Sequence, residues 1–294
     1  MKRIAIFGNK SQKTNFDSLQ TFFDLLAAKS PHEISVVMDR RYFDFLHRVI
    51  RVPRMQIDIL EADDDVCADM VLSIGGDGSF LTTANRVGYR EIPIMGINSG
   101  HLGYLAAADL TDASGIIDEI IDDYFDIEPR SVIEVLSDSD LLPARPYALN
   151  EVAILKQHTA SMITVRTKLN GKPLASFRSD GLIVSTPTGS TGYNLSVGGP
   201  VVAPTAGDWI ISPIAPHSLN MRPLVLPDNV VIDVATESRS ASFLLSIDGK
   251  SVTLPIETRL QLVKAPYVVN VVIHKNHNFV DTLRHKLLWG MDGM

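Results

Sequence analysis

The chain has 294 residues, 45% of them hydrophobic and 21% charged, a composition that supports a packed core and excludes the polar, highly charged make-up of disorder. At roughly 150 residues per domain there is room for two. Lys and Arg number 27 against 34 Asp and Glu, a net charge of −7, and no basic run is longer than Arg40-Arg41, which excludes a duplex-binding surface.

Cys67 is the only cysteine, so no internal disulfide or thiolate zinc cluster can form; it reads as a small buried apolar residue in a reducing cytosol. The apolar run Ile4 to Phe7 is too short for a signal-peptide core, and no segment reaches the about 18 apolar residues of a membrane helix. The expected location is cytoplasmic.

In chain order, Ile4-Ala5-Ile6-Phe7 is a short apolar run stopped by Gly8, and Phe16, Leu19, Phe22, Phe23 and Leu26 then recur at helical spacing. Further runs at Ile34 to Met38, Met70 to Ile74 and Ile92 to Ile97 are continuous rather than alternating, as in parallel strands covered on both faces by helices. The acidic stretch Glu61 to Asp65 reads as a solvated loop. A helix carrying Ile116, Ile117, Ile120, Ile121 and Phe125 on one face is predicted to end this α/β part.

From about Arg130 short strands and turn signals take over. Ile163, Val165, Thr167 and Leu169 alternate with Met162, Thr164, Arg166 and Lys168 before Asn170-Gly171, a strong hairpin signal that Asp248-Gly249 repeats. Runs at Leu182 to Val184, Trp209 to Ile214, Val230 to Val234, Phe243 to Ile247 and Val268 to Ile273 make this part β-rich, with no evident helix. Asn278 could then cap a final helix whose Phe279, Leu283, Leu287 and Leu288 share a face.

Three stretches carry chemistry. In Ser73-Ile74-Gly75-Gly76-Asp77-Gly78-Ser79-Phe80 a buried strand enters glycines clustered around one carboxylate ahead of a helix, a place where a phosphate can approach free amides and the positive end of a helix dipole. The structural alternative is a tight turn with Asp77 capping the helix. The stretch is neither a Walker loop nor the dinucleotide Gly-x-Gly-x-x-Gly fingerprint. In Asp180 to Pro200, five hydroxyls around Thr186-Pro187-Thr188-Gly189-Ser190-Thr191 read as an anion or nucleotide cradle, with Tyr193 adding a planar ring. Asn150-Glu151 is a polar pair in a strand-like run, suited to hydroxyl recognition or simply to a solvent face. His274 and His277 fall across a strand end and loop and, with His285, read as surface histidines; no metal site is predicted.

Together with Asn98-Ser99-Gly100-His101-Leu102-Gly103-Tyr104-Leu105, these stretches resemble the ATP-NAD kinase family from about Val71 to Lys250. Gly-Gly-Asp-Gly is shared with 6-phosphofructokinases and lipid kinases, whereas Thr188-Gly189-Ser190-Thr191-Gly192-Tyr193-Asn194 is far more specific. The resemblance implies a Rossmann-like α/β domain over 1–127, a β-rich NAD-binding domain over 128–271, and a C-terminal helix within 272–294 that packs back on the first. It implies transfer of the γ-phosphate of ATP to the 2′-hydroxyl of the adenosine ribose of NAD, with Mg2+ or another divalent cation, in a homodimer or homotetramer with neither nucleic acid nor membrane as partner.

By the same resemblance Asp77 is the catalytic residue, with Gly78 beside it, and Tyr104 packs on an adenine where the family often has Phe. Asn150 and Glu151 hold ribose and adenosine groups, and Arg178 and Asp180 contact the dinucleotide. Thr191, Gly192, Tyr193, Asn194, Leu195 and Ser196 wrap it, and Ala215 matches a further nucleotide contact. Gly192 stands where many members have Ala, and Lys250 where some have Gln. A sugar or lipid kinase using the same loop, or a non-catalytic NAD-binding sensor, are the alternatives.

Overall fold

A computed structural model describes residues 1–9, 15–30, 32–100, 103–157, 162–275 and 279–290, the His285 side chain excepted. Lys10, His101, Leu102, His277 and the proposed cap Asn278 lie outside the described residues. The chain divides into two compact units, Met1–Pro129 with Val269–Met294, and Arg130–Val268.

The first unit is built on one sheet. Among the described residues its strands are β1 (Lys2–Gly8), β2 (Ile34–Asp39), β3 (Ile57–Leu60), β4 (Met70–Gly75), β5 (Ile94–Asn98), β6 (Ala108–Asp109), β7 (Phe125–Arg130) and the late strand β20 (Val269–His274). They lie in the order β3-β2-β1-β4-β5-β20-β7, with β6 beside β5. The pairs joining β1, β2, β3, β4 and β5 are parallel, and every residue of β4 is buried, which is why its sequence is apolar but for Ser73, whose hydroxyl bonds to that of Thr83. Strand order reverses at β1 and β4, and ligands of open α/β sheets bind at such a switch point.

Helices α1 (Phe16–Lys29), α2 (Arg40–Val49), α3 (Asp77–Val87) and α4 (Ala113–Asp122) belong to the same unit. The Asn15 side chain caps α1 at the Ser18 amide, and Leu19, Phe22, Phe23 and Leu26 form its buried stripe, as their spacing predicts. Asp39 caps α2, which the strand-and-loop reading of this stretch passes over although Tyr42, Phe43, Phe45, Leu46 and Val49 recur at helical spacing, with Tyr42 and Leu46 buried. Phe125 is not on α4: Asp123 takes a left-handed conformation that ends the helix, and Phe125 starts β7. The stretch Glu61 to Asp65 is an exposed loop. Cys67 is exposed rather than buried, since it follows this loop instead of lying in β4.

The second unit is all-antiparallel in its paired strands. One sheet runs β15 (Leu224–Pro227), β14 (Asp208–Ile214), β13 (Gly181–Ser185), β10 (Glu151–Lys156), β17 (Ser242–Ile247) and β18 (Lys250–Pro255). The other runs β12 (Lys172–Ser179), β11 (Ile163–Leu169), β16 (Ile232–Ser238), β19 (Leu260–Lys264), β8 (Ile133–Ser137) and β9 (Tyr147–Ala148). Alternation along the strands sends Ile163, Val165, Ile232 and Leu262 from one sheet and Ile154, Val184, Trp209 and Leu245 from the other into one shared core. Asn170-Gly171 joins β11 to β12 and Asp248-Gly249 joins β17 to β18, all four residues at positive φ as a type I′ turn demands. Contrary to the sequence expectation, this unit contains helix: Thr188–Thr191 forms a 3-10 turn, and α5 (Tyr193–Ser196) is one α-helical turn. Local hydrogen bonding rather than apolar periodicity makes these turns, so pattern alone does not announce them. The last helix, α6 (Phe279–Leu287), stops before Leu288, which has positive φ and is exposed.

Candidate active site

In the first unit the loop after β4 presents Asp77. Gly76 is the N-cap of α3 and makes no side-chain cap, so the capping alternative for Asp77 is not what the fold adopts. Instead Asp77 Oδ2 accepts the Tyr104 amide at 2.8 Å and Oδ1 the Leu105 amide at 2.9 Å. A carboxylate offers about four lone-pair directions, so each oxygen keeps one for a substrate hydroxyl. This grip needs Gly103: a Cβ there would sit 2.4 Å from Asp77 Oδ1. Tyr104 contributes a half-buried ring whose hydroxyl is buried without a partner, and burial raises its pKa.

Gly78 and Ser79, in the first turn of α3, line a cavity of about 510 Å³ that also meets Gly8, Asp39, Arg41 and Arg86. It opens at the carboxyl ends of β1 and β2, where the positive end of the α3 dipole favours anions.

In the second unit, Asn150 and Glu151 stand at the start of β10. The buried Asp248 carboxylate accepts the amides of Leu149 at 2.8 Å, Asn150 at 2.8 Å and Glu151 at 3.1 Å, while its own amide donates to the Glu151 carbonyl. The polar pair is thus gripped from the tip of the neighbouring β17–β18 hairpin. Asn150 Oδ1 and Glu151 Oε2 are buried and lack partners, which leaves those two oxygens for a ligand to meet. Burial, and next the Asp248 charge, push the Glu151 carboxyl up to about 7, with the Tyr193 amide pulling the other way. Asp248 itself is raised by burial, against the three amides and Lys250. Sequence reading passes over Asp248, because only the β10–β17 register shows what its turn faces.

The Thr186 to Gly199 segment folds against this pair. Three of the five hydroxyls expected to line a cradle bond to carbonyls of the protein itself. Ser185 Oγ donates to the Thr186 carbonyl, Thr186 Oγ1 to the Leu149 carbonyl and Ser190 Oγ to the Val202 carbonyl. These hydroxyls pin the loop because they are buried and must find acceptors. Among the five, Thr188 Oγ1 is buried without a partner. Gly189 packs on the Asn150 backbone so closely that a Cβ would lie 2.1 Å from its carbonyl oxygen.

Asn194 is fully buried, with Nδ2 donating to the Ser190 and Pro200 carbonyls and Oδ1 accepting from Ser212 Oγ at 2.7 Å. Its amide side chain fastens the loop. Thr191, Gly192 and Leu195 are partly exposed; Tyr193 is exposed, as is Ser196, whose hydroxyl donates to the Tyr193 carbonyl.

Asp180 pairs with Lys156 at 2.6 Å, just before β13. Arg178, exposed on β12, has its carbonyl bound to the His217 amide, which brings Ala215 to Pro216 to the same strand end. Ala215 is exposed and has φ of 44°, an uncommon conformation for a residue with a Cβ. Lys250 is exposed at the start of β18. In the first unit, His274 pairs with Glu119 at 2.8 Å. Among the described residues no group of three or more His, Cys, Asp or Glu could hold a metal ion, and no helix is long and apolar enough to cross a membrane.

Residues 4–125 match the model of the ATP-NAD kinase N-terminal domain and residues 149–274 that of the C-terminal domain. The chain is 45% identical over 290 residues to an NAD kinase of Bacteroides fragilis and 41% identical over 291 residues to one of Porphyromonas gingivalis, covering 99% of each protein and of itself. In fold it is similar to yeast NADH kinase complexed with NADH, at TM-score 0.87 and 20% identity over 100% of this chain and 89% of that one. It is also similar to an NAD kinase from Archaeoglobus fulgidus in complex with ATP, at TM-score 0.70 and 24% identity over 96% and 98%. With both family halves matched and near-complete alignment to relatives above 40% identity, the chain belongs to the ATP-NAD kinase family.

Proposed function

We propose that the chain works as an NAD kinase in which Asp77 takes the proton of the adenosine-ribose 2′-hydroxyl of NAD as that oxygen bonds to the γ-phosphorus of ATP. The bond from that phosphorus to the β,γ-bridging oxygen breaks, ADP leaves, and NADP is formed. Full-length kinship with NAD kinases carries the activity. The Asp77 carboxylate, oriented by two amides with lone pairs to spare, supports the residue role.

Phosphoryl transfer runs through a loose transition state, so the protein's task is positioning and charge stabilisation, and a carboxylate suffices to accept a proton that leaves late. The cavity beside Gly78 and Ser79 is assigned to the ATP phosphates, since Arg41, Arg86 and the N-terminal turn of α3 line it, with Asp39 as the one carboxylate among its described residues. The second unit is assigned dinucleotide recognition. Asn150 and Glu151 offer free buried acceptors to ribose and adenosine, and the Tyr193 ring offers an exposed stacking face. Thr191, Gly192, Leu195, Ser196, Arg178, Asp180, Ala215 and Lys250 complete the proposed contacts, Asn194 acts by holding the loop, and Tyr104 is assigned to an adenine. Among the described residues no three or more His, Cys, Asp or Glu gather where they could hold a metal ion; Mg2+ is assigned the role of counter-ion of ATP. A homodimer or homotetramer is proposed from the family resemblance, to be read by light scattering.

The test supplies NAD, ATP and magnesium and follows NADP with a dehydrogenase specific for it. Turnover is expected, and its absence with folded protein would sink the assignment. Asp77→Asn is expected to lower kcat by about 10²–10⁴-fold while calorimetry shows NAD binding retained. Full kcat in that variant would remove Asp77 from the proton-accepting role.

A further inference from the structure

The stretch Gly103 to Ala106 is held from three sides within the first unit. Tyr104 and Leu105 give their amides to Asp77. On β5, Gly96 admits the Leu105 carbonyl to within 2.8 Å of where a Cβ would stand, and its own carbonyl accepts the Ala107 amide at 3.0 Å. The third hold comes from the end of the chain. Lys286, on α6, donates from Nζ to the carbonyls of Tyr104 and Ala106, each at 3.2 Å, and lies 5.7 Å from the centroid of the Tyr104 ring.

The Tyr104 carbonyl shares its peptide unit with the Leu105 amide, so the ammonium holds that gripping unit directly, and it reaches the Tyr104 amide, one unit earlier, through the Tyr104 residue whose ring it faces. Taking an ammonium partly out of water is costly unless polar partners replace the lost hydration. Here the partners are two carbonyls and the face of an aromatic ring, all supplied by this one stretch. Burial lowers the Lys286 pKa while the Asp77 charge raises it, so lysine and carboxylate feel one another.

We infer that Lys286 is a positioning residue for phosphoryl transfer: it sets the 103–106 stretch and, through the Tyr104 and Leu105 amides, the orientation of the Asp77 carboxylate. This rests on the assignment of Asp77 as proton acceptor. Without the ammonium, the carbonyls of Tyr104 and Ala106 lose a shared donor, the unit that carries the Leu105 amide turns more freely, Tyr104 follows it, and the carboxylate they hold turns with them.

The test pairs backbone amide NMR of the ligand-free protein with steady-state kinetics on NAD and ATP, for the parent, Lys286→Met, Lys286→Arg and the surface control Lys29→Met. Lys286→Met is expected to move the Tyr104 and Leu105 amide protons upfield, out of their carboxylate hydrogen bonds. It is expected to lower kcat by about 10–100-fold, with the KM for ATP unchanged. Lys286→Arg, which keeps charge and donors, should regain most of that loss, and Lys29→Met should match the parent. Unmoved amide signals in Lys286→Met would overturn the inference whatever kcat does, and moved signals with parental kcat would overturn it as well. If Lys286→Met does not fold, Lys286→Gln, which keeps an N–H donor but no charge, is judged by the same two outcomes. The amide signals need no substrate, so they probe Lys286 separately from Asp77→Asn, whose retained kcat would strike only the assignment of the proton acceptor.

Discussion

Glu151 shows how a single residue's surroundings set its chemistry. Its carboxyl ionises near pH 7 rather than 4.5 because it is buried beside Asp248, and ionisation there has too little water to stabilise it. A raised folded-state pKa means that the folded protein keeps a proton which the unfolded chain has already lost. The contribution is therefore neutral below about 4.5, becomes unfavourable as pH rises towards 7, and is fully unfavourable above 7. Glu151→Gln should remove that penalty. Urea unfolding is expected to show the variant gaining on the parent between pH 5 and pH 8 by on the order of 2 kcal/mol. An identical difference at both pH values would mean that Glu151 is not held protonated in the fold.

At the scale of elements, the segment between β13 and β14 is ordered by buried hydrogen bonds rather than by an apolar stripe. Thr186 anchors its start to Leu149, Ser190 ties it to Val202, and Asn194 is saturated by Ser190, Pro200 and Ser212. Ser212, in the middle of β14, supplies the hydroxyl that the Asn194 carbonyl oxygen accepts, and both residues are fully buried. Ser212→Ala leaves that oxygen dry and unpaired, an expected loss of about 1–3 kcal/mol in chemical denaturation. The KM for NAD should rise with it, because Tyr193 rides on the same turn as Asn194. A stability change no larger than that of an exposed Ser→Ala substitution would show that the pin does not hold the loop.

At the scale of the whole molecule, each unit has its own core. Phe22 and Phe23 of α1 meet edge to face at 5.5 Å under the first sheet, and Trp209 is fully buried between the sheets of the second. Phe22→Ala and Trp209→Ala should each cost about 3–5 kcal/mol through lost burial and the cavity left behind. Hydrogen exchange should report the loss where the side chain stood: amides of β1, β2 and β4 for Phe22→Ala, and amides of β10, β13 and β14 for Trp209→Ala. Uniform acceleration across both units in either variant would contradict independent cores.

Much of this architecture was legible in local patterns. Continuous apolar runs give the parallel strands, a 3.6-residue stripe gives α1, and Asn-Gly and Asp-Gly give two hairpins, because each is a short-range consequence of side-chain spacing or of tolerance for positive φ. The Gly-Gly-Asp-Gly and Thr-Gly-Ser-Thr-Gly-Tyr-Asn stretches likewise mark where the chemistry lies. What no local pattern contains is the pairing of distant residues. Asp248 meets the Asn150-Glu151 backbone about a hundred residues away only through the β10–β17 register. The hydroxyls around Thr186 look like ligand donors in sequence, yet burial turns Ser185, Thr186 and Ser190 onto carbonyls of the protein itself. Asp77, legible as a cap, is instead gripped by the amides of Tyr104 and Leu105, and Lys286 reaches that stretch from α6. The sequence by itself determined the longer strands, α1, the two hairpins and the stretches that bear chemistry, since propensity and spacing act over a few residues. Only the tertiary structure decided which polar groups are satisfied internally and which remain for a substrate, because hydrogen bonding in a dry interior depends on neighbours brought together by the fold.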